Sequence, residues 1–203
     1  MPYSSAMEPF STHTGKLAAL PLDDIDTDRI IPARFLSRIS RSGYGELLFA
    51  DVRGPEFPLD KPEAQGASIL VAGSNFGSGS SREHAVWAIQ QAGFKAVIAK
   101  QTATEGAFSD IFRQNSANCG LLLIPLVEED WKRLADAGSG AEATIDLPNQ
   151  SVVLGSEQFR FEIAPANKHA IEQGLDLIGN TLLSADAIGD YERERGPFIP
   201  PPA

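Results

Sequence analysis

Three observations predict an α/β fold built on a parallel strand–helix–strand unit. The run Ser68-Ile69-Leu70-Val71-Ala72 is apolar without alternation, as expected of a strand buried on both faces. Ala85, Ala88, Ile89 and Ala92 then recur at helical spacing, and Gly93 stops the helix with Phe94 placed to pack back on it. A second strand is read over 95–99, apolar from Ala96 to Ala99, so the crossover is expected to be right-handed.

The remaining elements are read around that unit. Residues 1–12 are expected to be a loose leader, with Met7 an alternative start, and Thr14 to Leu20 a first strand. Asp23, Asp24, Asp26 and Asp28 crowd one turn before Ile30-Ile31-Pro32. They form either a solvated turn or a cation loop. The calcium loop's glycine and twelfth-position glutamate are absent, and Asp28, beside the isoleucines, is the one of the four expected to be partly buried. Residues 33–67, punctuated by Pro55, Pro58 and Pro62, read as one long irregular connection. A second helix presents Phe108, Ile111, Phe112 and Asn115 on one face, and Leu121 to Ile124 is a further buried strand. Residues 127–137 are expected as a surface helix. Ala143-Ile145-Leu147 and Phe159-Phe161-Ile163 alternate like half-buried strands, and helices are expected over 166–173 and 184–194. With no repeat and no linker, residues 1–203 are expected to form one domain, 197–203 being a Pro-rich tail.

A chain of 203 residues buries roughly 70% of its unfolded surface. Its net charge of -10 argues against nucleic acid or an anionic membrane as partner. No apolar run approaches the length of a spanning helix and no signal pattern opens the chain, so the cytoplasm is the expected compartment. Cys119 stands alone, and His13, His84 and His169 are far apart, so no metal or cluster site is expected within the chain.

Between the buried strand and its helix lies Gly73-Ser74-Asn75-Phe76-Gly77-Ser78-Gly79-Ser80-Ser81-Arg82-Glu83-His84. A glycine-rich loop ending at a helix N-terminus presents free N–H groups and the positive end of the helix dipole. Ser80-x-x-Glu83 also fits a capping box, which needs no function. Arg82, at the head of a core-facing stripe, favours an anion seat instead. A phosphate loop is excluded because no lysine lies between Gly73 and Ile89, and the dinucleotide fingerprint lacks its third glycine. A carboxylate is the better ligand. Trp87 falls opposite the apolar stripe, so the helix is expected to contact a second layer, within the chain or in a partner.

The segment from Asn75 through Ala88 resembles the signature of the small subunit of 3-isopropylmalate dehydratase. Asp26-Thr27-Asp28-x-Ile30-Ile31-Pro32-x-x-Phe35-Leu36 is similar to that family's N-terminal signature, and Gly174-Leu175-Asp176-x-Ile178-Gly179-x-Thr181-Leu182 to its C-terminal one. The resemblance runs from about Thr14 to Tyr191 and implies a swivelling β/β/α domain like the C-terminal domain of aconitase, carried here on a separate chain. It implies a hydro-lyase of leucine biosynthesis that moves a hydroxyl between neighbouring carbons of isopropylmalate. The hydroxyl leaves with help from one iron of a [4Fe–4S] cluster, which thiolates must hold. One cysteine cannot do so, and the resemblance places the cluster on a large-subunit partner.

By the same resemblance, Ser80 is implied to be the base for the carbon-bound proton, Arg82 a ligand for a substrate carboxylate, and Ser81 its support. Asp28 matches an acidic residue of the superfamily site, and Arg41 or Arg38 a further substrate arginine. His84 is expected to be structural. The sequence departs from many members in having Ser78 for cysteine and Val86 for proline, neither of which alters Ser80 or Arg82. Relatives acting on citraconate, dimethylmaleate or homoaconitate share this loop, so a related hydro-lyase is the enzymatic alternative. A non-catalytic anion-binding module is the other.

Overall fold

The computed structural model describes residues 7–79 and 82–195. A seven-stranded sheet has the order β4-β3-β2-β1-β5-β6-β7. Its strands are β1 Thr12–Leu20, β2 Ile69–Ala72, β3 Ala96–Gln101, β4 Leu122–Val127, β5 Glu142–Asp146, β6 Ser151–Leu154 and β7 Glu157–Arg160. β1 joins two styles of sheet. Its C-terminal half, Leu17 to Leu20, pairs in parallel with Ile69 to Ala72. Its N-terminal half, Thr12 to Lys16, pairs antiparallel with Asp146 to Glu142. Burial follows the pairing: Leu17, Ala18 and Leu20 are fully buried, whereas the half facing β5 alternates between exposed and half-buried.

The parallel strands are covered on both faces, which is why they read as unbroken apolar runs. On one face Leu70, Ala72, Val97 and Ala99 meet α2 (Glu83–Gln91), α3 (Asp110–Cys119) and the 33–67 connection. On the other, Ile69, Val71, Ile98 and Ile124 form a core with α4 (Glu128–Ala137) and with Ile145, Val152 and Phe159 of the antiparallel strands. The helix expected at the surface over 127–137 therefore buries Trp131 and Leu134. The connection over 33–67 holds only short 3-10 turns, two of them opened by Pro58 and Pro62.

Several elements differ from expectation. α3 starts at Asp110, capped by the Ser109 hydroxyl, and this phase turns Ile111 out to 49% exposure while Ser116 is buried in its place. The single-turn α1 (Thr27–Ile30), β6 and α6 (Leu177–Leu182) were not expected, being too short to show a period. α5 (Pro165–Gln173) and α7 (Ala185–Arg195) lie where helices were predicted. The leader is held down from Met7 onward. Phe10 N–H donates to Ile171 O, Glu8 pairs with Lys95, and β1 already begins at Thr12. Residues 1–6 and the expected tail over 197–203 lie outside the described residues.

Candidate active site

Two of the site candidates, Asp28 and Arg82, meet at the C-terminal edge of the parallel strands, where α/β folds bind ligands. Two loops leave that edge side by side. Residues 22–28, after β1, run beside residues 73–79, after β2, and backbone bonds join them: Gly73 N–H to Leu22 O at 3.1 Å, Asp24 N–H to Ser74 O at 3.0 Å, Gly77 N–H to Ile25 O at 2.8 Å and Thr27 N–H to Ser78 O at 2.9 Å. So close an approach leaves no room for a Cβ at Gly73, which would strike Asp23 Oδ1 and the Leu22 carbonyl. Asp24 and Asn75 both take left-handed backbone, φ 54° and 53°, which their short polar side chains tolerate best among non-glycine residues. They are tied to each other by Asn75 Nδ2–H donating to Asp24 Oδ1 at 2.7 Å.

This pairing carries Asp28 to Arg82. The Arg82 guanidinium donates from Nη1 to Asp28 Oδ1 at 2.6 Å; the arginine side chain is 19% exposed and the aspartate 54%. Asp28 is thus not the most buried of the four aspartates, since Asp23, at 46%, is more enclosed. The first turn of α1 points the Asp28 carboxylate out over the loop, whereas Asp23 packs on Gly73. Nor is the turn a cation loop. Asp23 accepts from Ser74 and Lys100, Asp24 from Asn75, Asp26 from Arg29 N–H as the cap of α1, and Asp28 from Arg82.

Ser80 and Ser81 lie outside the described residues. α2 begins at Glu83 with Arg82 in the cap position, so the capping box expected from Ser80 to Glu83 is displaced: Ser80 stands two residues before the cap. The Arg82 side chain makes no cap bond to the first-turn N–H groups. Glu83 reaches instead to Cys119 Sγ at 3.5 Å. Burial, and next the Glu83 carboxylate, push the Cys119 thiol up to about 12, the reverse of what a metal-ligating thiol needs.

Arg41 is not brought to Asp28 or Arg82. Its guanidinium lies 5.1 Å above the Trp87 ring, and Arg38 donates to Gly43 O and faces the Tyr44 ring. Trp87, His84 and Tyr44 pack together, with centroids 4.7 Å apart for His84–Trp87 and 5.7 Å for Tyr44–Trp87. The second layer on α2 is therefore the chain's own connection, and His84 sits between two rings as a packed side chain.

The sequence reading missed Lys100, Ser74 and Glu105. Ser74 Oγ donates to Glu105 at 2.6 Å, and Lys100 pairs with Asp23 at 3.1 Å. Burial works against the Asp23 charge, but the Ser74 N–H and Lys100 together hold its carboxyl below the ordinary carboxylate value. Only the lone cation ending an apolar strand, Ala96-Val97-Ile98-Ala99-Lys100, could have signalled it.

This arrangement can hold a carboxylate: a guanidinium at a helix N-terminus, aligned by a neighbouring aspartate, on a loop whose glycines admit close approach. Comparison with known proteins identifies the family. The aconitase C-terminal domain family matches residues 7–129, which include both loops, and the family described as LeuD_N matches 132–165. A 3-isopropylmalate dehydratase small subunit from Roseiflexus castenholzii is 48% identical, over 95% of this chain and 97% of its own length. The small subunit from Bacillus subtilis is 44% identical over 95% and 99%. The crystal structure of 3-isopropylmalate dehydratase (leuD) from Methanocaldococcus jannaschii superposes with a TM-score of 0.64 at 30% identity, covering 91% of this chain and 99% of that one. With relatives this similar along nearly their whole length, and with the paired loops inside the aconitase-type match, the chain belongs to the family of 3-isopropylmalate dehydratase small subunits.

Proposed function

We propose that the chain is the substrate-holding half of a 3-isopropylmalate dehydratase, a hydro-lyase that interconverts 2- and 3-isopropylmalate in leucine synthesis, and that it works in the cytoplasm with a large-subunit partner. The observation that carries this reading is the Arg82–Asp28 pair at the mouth of the joined loops. Asp28 occupies the Nη1 end of the guanidinium and fixes its direction. The remaining donors of the fork face a substrate carboxylate. Ser81 supports that seat. The Arg82 charge attracts a dianion to a protein whose net charge is -10, whereas Arg41 and Arg38 stay on the Trp87 and Tyr44 rings.

Ser80 takes the proton from one carbon and returns it to the same or the neighbouring one. Its alkoxide is costly in water; the N-terminus of α2 and the Arg82 charge lower that cost. Departure of the hydroxyl needs a Lewis acid, supplied by a [4Fe–4S] cluster on the large subunit. This chain does not fit such a cluster: its single thiol is held protonated, and no group of three potential ligands comes together among the described residues.

The test is turnover of isopropylmalate by the chain reconstituted with its large subunit. Ser80→Ala is expected to reduce kcat at least about a hundredfold, with little change in melting temperature, since Ser80 is not the cap of α2. Arg82→Lys keeps the charge but loses the planar fork, and is expected to lower kcat/KM by roughly 2–4 kcal/mol. Near-normal turnover in both variants would leave only an anion-binding loop. Faster turnover of citraconate, dimethylmaleate or homoaconitate would shift the assignment to a related hydro-lyase.

A further inference from the structure

A ladder of polar side chains lies beneath the glycine-rich loop, and the reaction proposed above does not use it. Trp131 of α4 donates from Nε1 to Ala72 O at 2.6 Å, on the last residue of β2. Its ring carries the Lys100 ammonium at 5.2 Å. Lys100, on β3, has a side chain only 14% exposed and pairs with Asp23 at 3.1 Å. Asp23 Oδ1 accepts the Ser74 N–H at 2.7 Å, and the Ser74 hydroxyl, from a residue 1% exposed, donates to Glu105 at 2.6 Å. Ser74, the point where β2 becomes the loop, thus bonds Asp23, Asp24 and Glu105 directly, with Lys100 behind Asp23 and Trp131 on Ala72.

On the reading that this loop serves the dehydratase reaction, we propose that Lys100 and Asp23 are positioning residues: their ion pair fixes the root of the Gly73–Arg82 loop, and through it the carboxylate seat. Neither touches the seat. Their influence passes through Ser74 to Asn75, which bonds Asp24, and along the joined backbones to Ser78 and Thr27, the residue before Asp28. A nearly buried ammonium suits this task because its removal takes away the fixed partner of the half-exposed Asp23 carboxylate, which is then free to turn toward water and release the Ser74 N–H. A displacement of about 1 Å in a seat of this kind costs on the order of a hundredfold in rate when the reacting atoms must be aligned.

The pair also gives the loop a pH dependence with a definite sign. The groups facing Asp23 are Lys100 from β3 and, through the Ser74 hydroxyl, Glu105; Asp24, its neighbour, is turned to Asn75. Asp23 is held below the ordinary carboxylate value, so the clamp is present at neutral pH and is lost as the pH falls through that lowered value. Without Lys100 the acid limb must move to higher pH.

The experiment compares Lys100→Met, Lys100→Arg and Asp23→Asn in the complex with the large subunit, with exposed Lys132→Met as control. Lys100→Met is expected to lower kcat about tenfold or more, to change KM less than about twofold, and to shift the acid limb of kcat to higher pH. Lys100→Arg is expected to keep most of the activity. Asp23→Asn keeps an acceptor for Ser74, so it folds even where Lys100→Met does not, and is expected to lower kcat while flattening the acid limb. Normal kcat in Asp23→Asn, or an unmoved acid limb in a folded Lys100→Met, overturns the positioning role. A wild-type complex that fails to turn over isopropylmalate overturns the dehydratase reading instead.

Discussion

The two joined loops at the strand edge and the helical pair α6–α7 are both short on regular structure, yet they are organised in opposite ways. In the loops, backbone bonds cross from one segment to the other, and Ile25, Ile30 and Phe76 beneath them are fully buried. In α6 and α7 no residue is buried, although large apolar side chains lie on and beside them: Leu177, Leu183 and Tyr191 are 62%, 65% and 61% exposed. α6 has its local cap, Asp176 accepting from Gly179 N–H at 2.7 Å. A cap defines where a helix begins but gives it nothing to pack on. Side-chain polarity therefore does not decide which region is rigid. The presence of a second segment alongside does, because it supplies both partners for the backbone and cover for the apolar atoms.

If that is right, the strongest single perturbation should come from a methyl group placed between the loop and its cover. Gly77 has φ 76°, and a Cβ there would lie 2.6 Å from Phe112 Cδ2 and 2.7 Å from its Cβ. Gly77→Ala meets a left-handed backbone cost of about 1–2 kcal/mol and an overpacking cost of about 1–3 kcal/mol, so a loss of roughly 2–5 kcal/mol is expected by urea denaturation. A loss under about 1 kcal/mol would mean that Phe112 moves aside easily, and that the loop is far less rigid than its hydrogen bonds suggest.

The same contrast explains what could be read in the sequence. Runs such as Ile69-Leu70-Val71-Ala72 announce burial on both faces because nothing polar interrupts them, and β2, β3 and β4 fall close to where periodicity puts them. The loop suggested an anion seat through its glycines and Arg82, and the family resemblance named Asp28 for the same site without a role; that the two form an ion pair came only from the structure. The ladder under the loop was not legible. Lys100, Asp23 and Glu105 are far apart in the chain, and their meeting depends on strand order, which no local pattern encodes. α1 and β6, at four residues each, are shorter than one clear period. The mistaken burial of Asp28 has the same origin: adjacency to Ile30 and Ile31 in sequence says nothing about which way the first turn of a helix faces.

A middle-sized effect is expected where one side chain links the sheet edge to the helix layer. Trp131→Phe keeps most of the ring for the core around Leu134 and Val71 but removes the donor to Ala72 O. Loss of this buried hydrogen bond costs about 0.5–1.5 kcal/mol, to be measured by urea denaturation. Because Ala72 adjoins Gly73, amide exchange at Ser74 and Asn75 is expected to rise with it. Lost stability without faster exchange there would separate α4 from the loop and confine the comparison to the two loops themselves.

The smallest effect is expected at the other pole. Leu183→Glu replaces a side chain already 65% exposed on an element with no buried residue, so the stability of the isolated chain should change by no more than about 0.5 kcal/mol. Glutamate is also an adequate helix former, and Leu183 terminates α6 rather than lying within it, which removes propensity as a hidden cost. Urea denaturation of the isolated variant beside wild type is the measurement, since any partner covering this surface would add its own contribution. A drop above about 1 kcal/mol is well outside the usual range for a surface position and would show that α6 and α7 are packed in solution. The contrast between a cross-linked edge and an uncovered helical pair would then be lost.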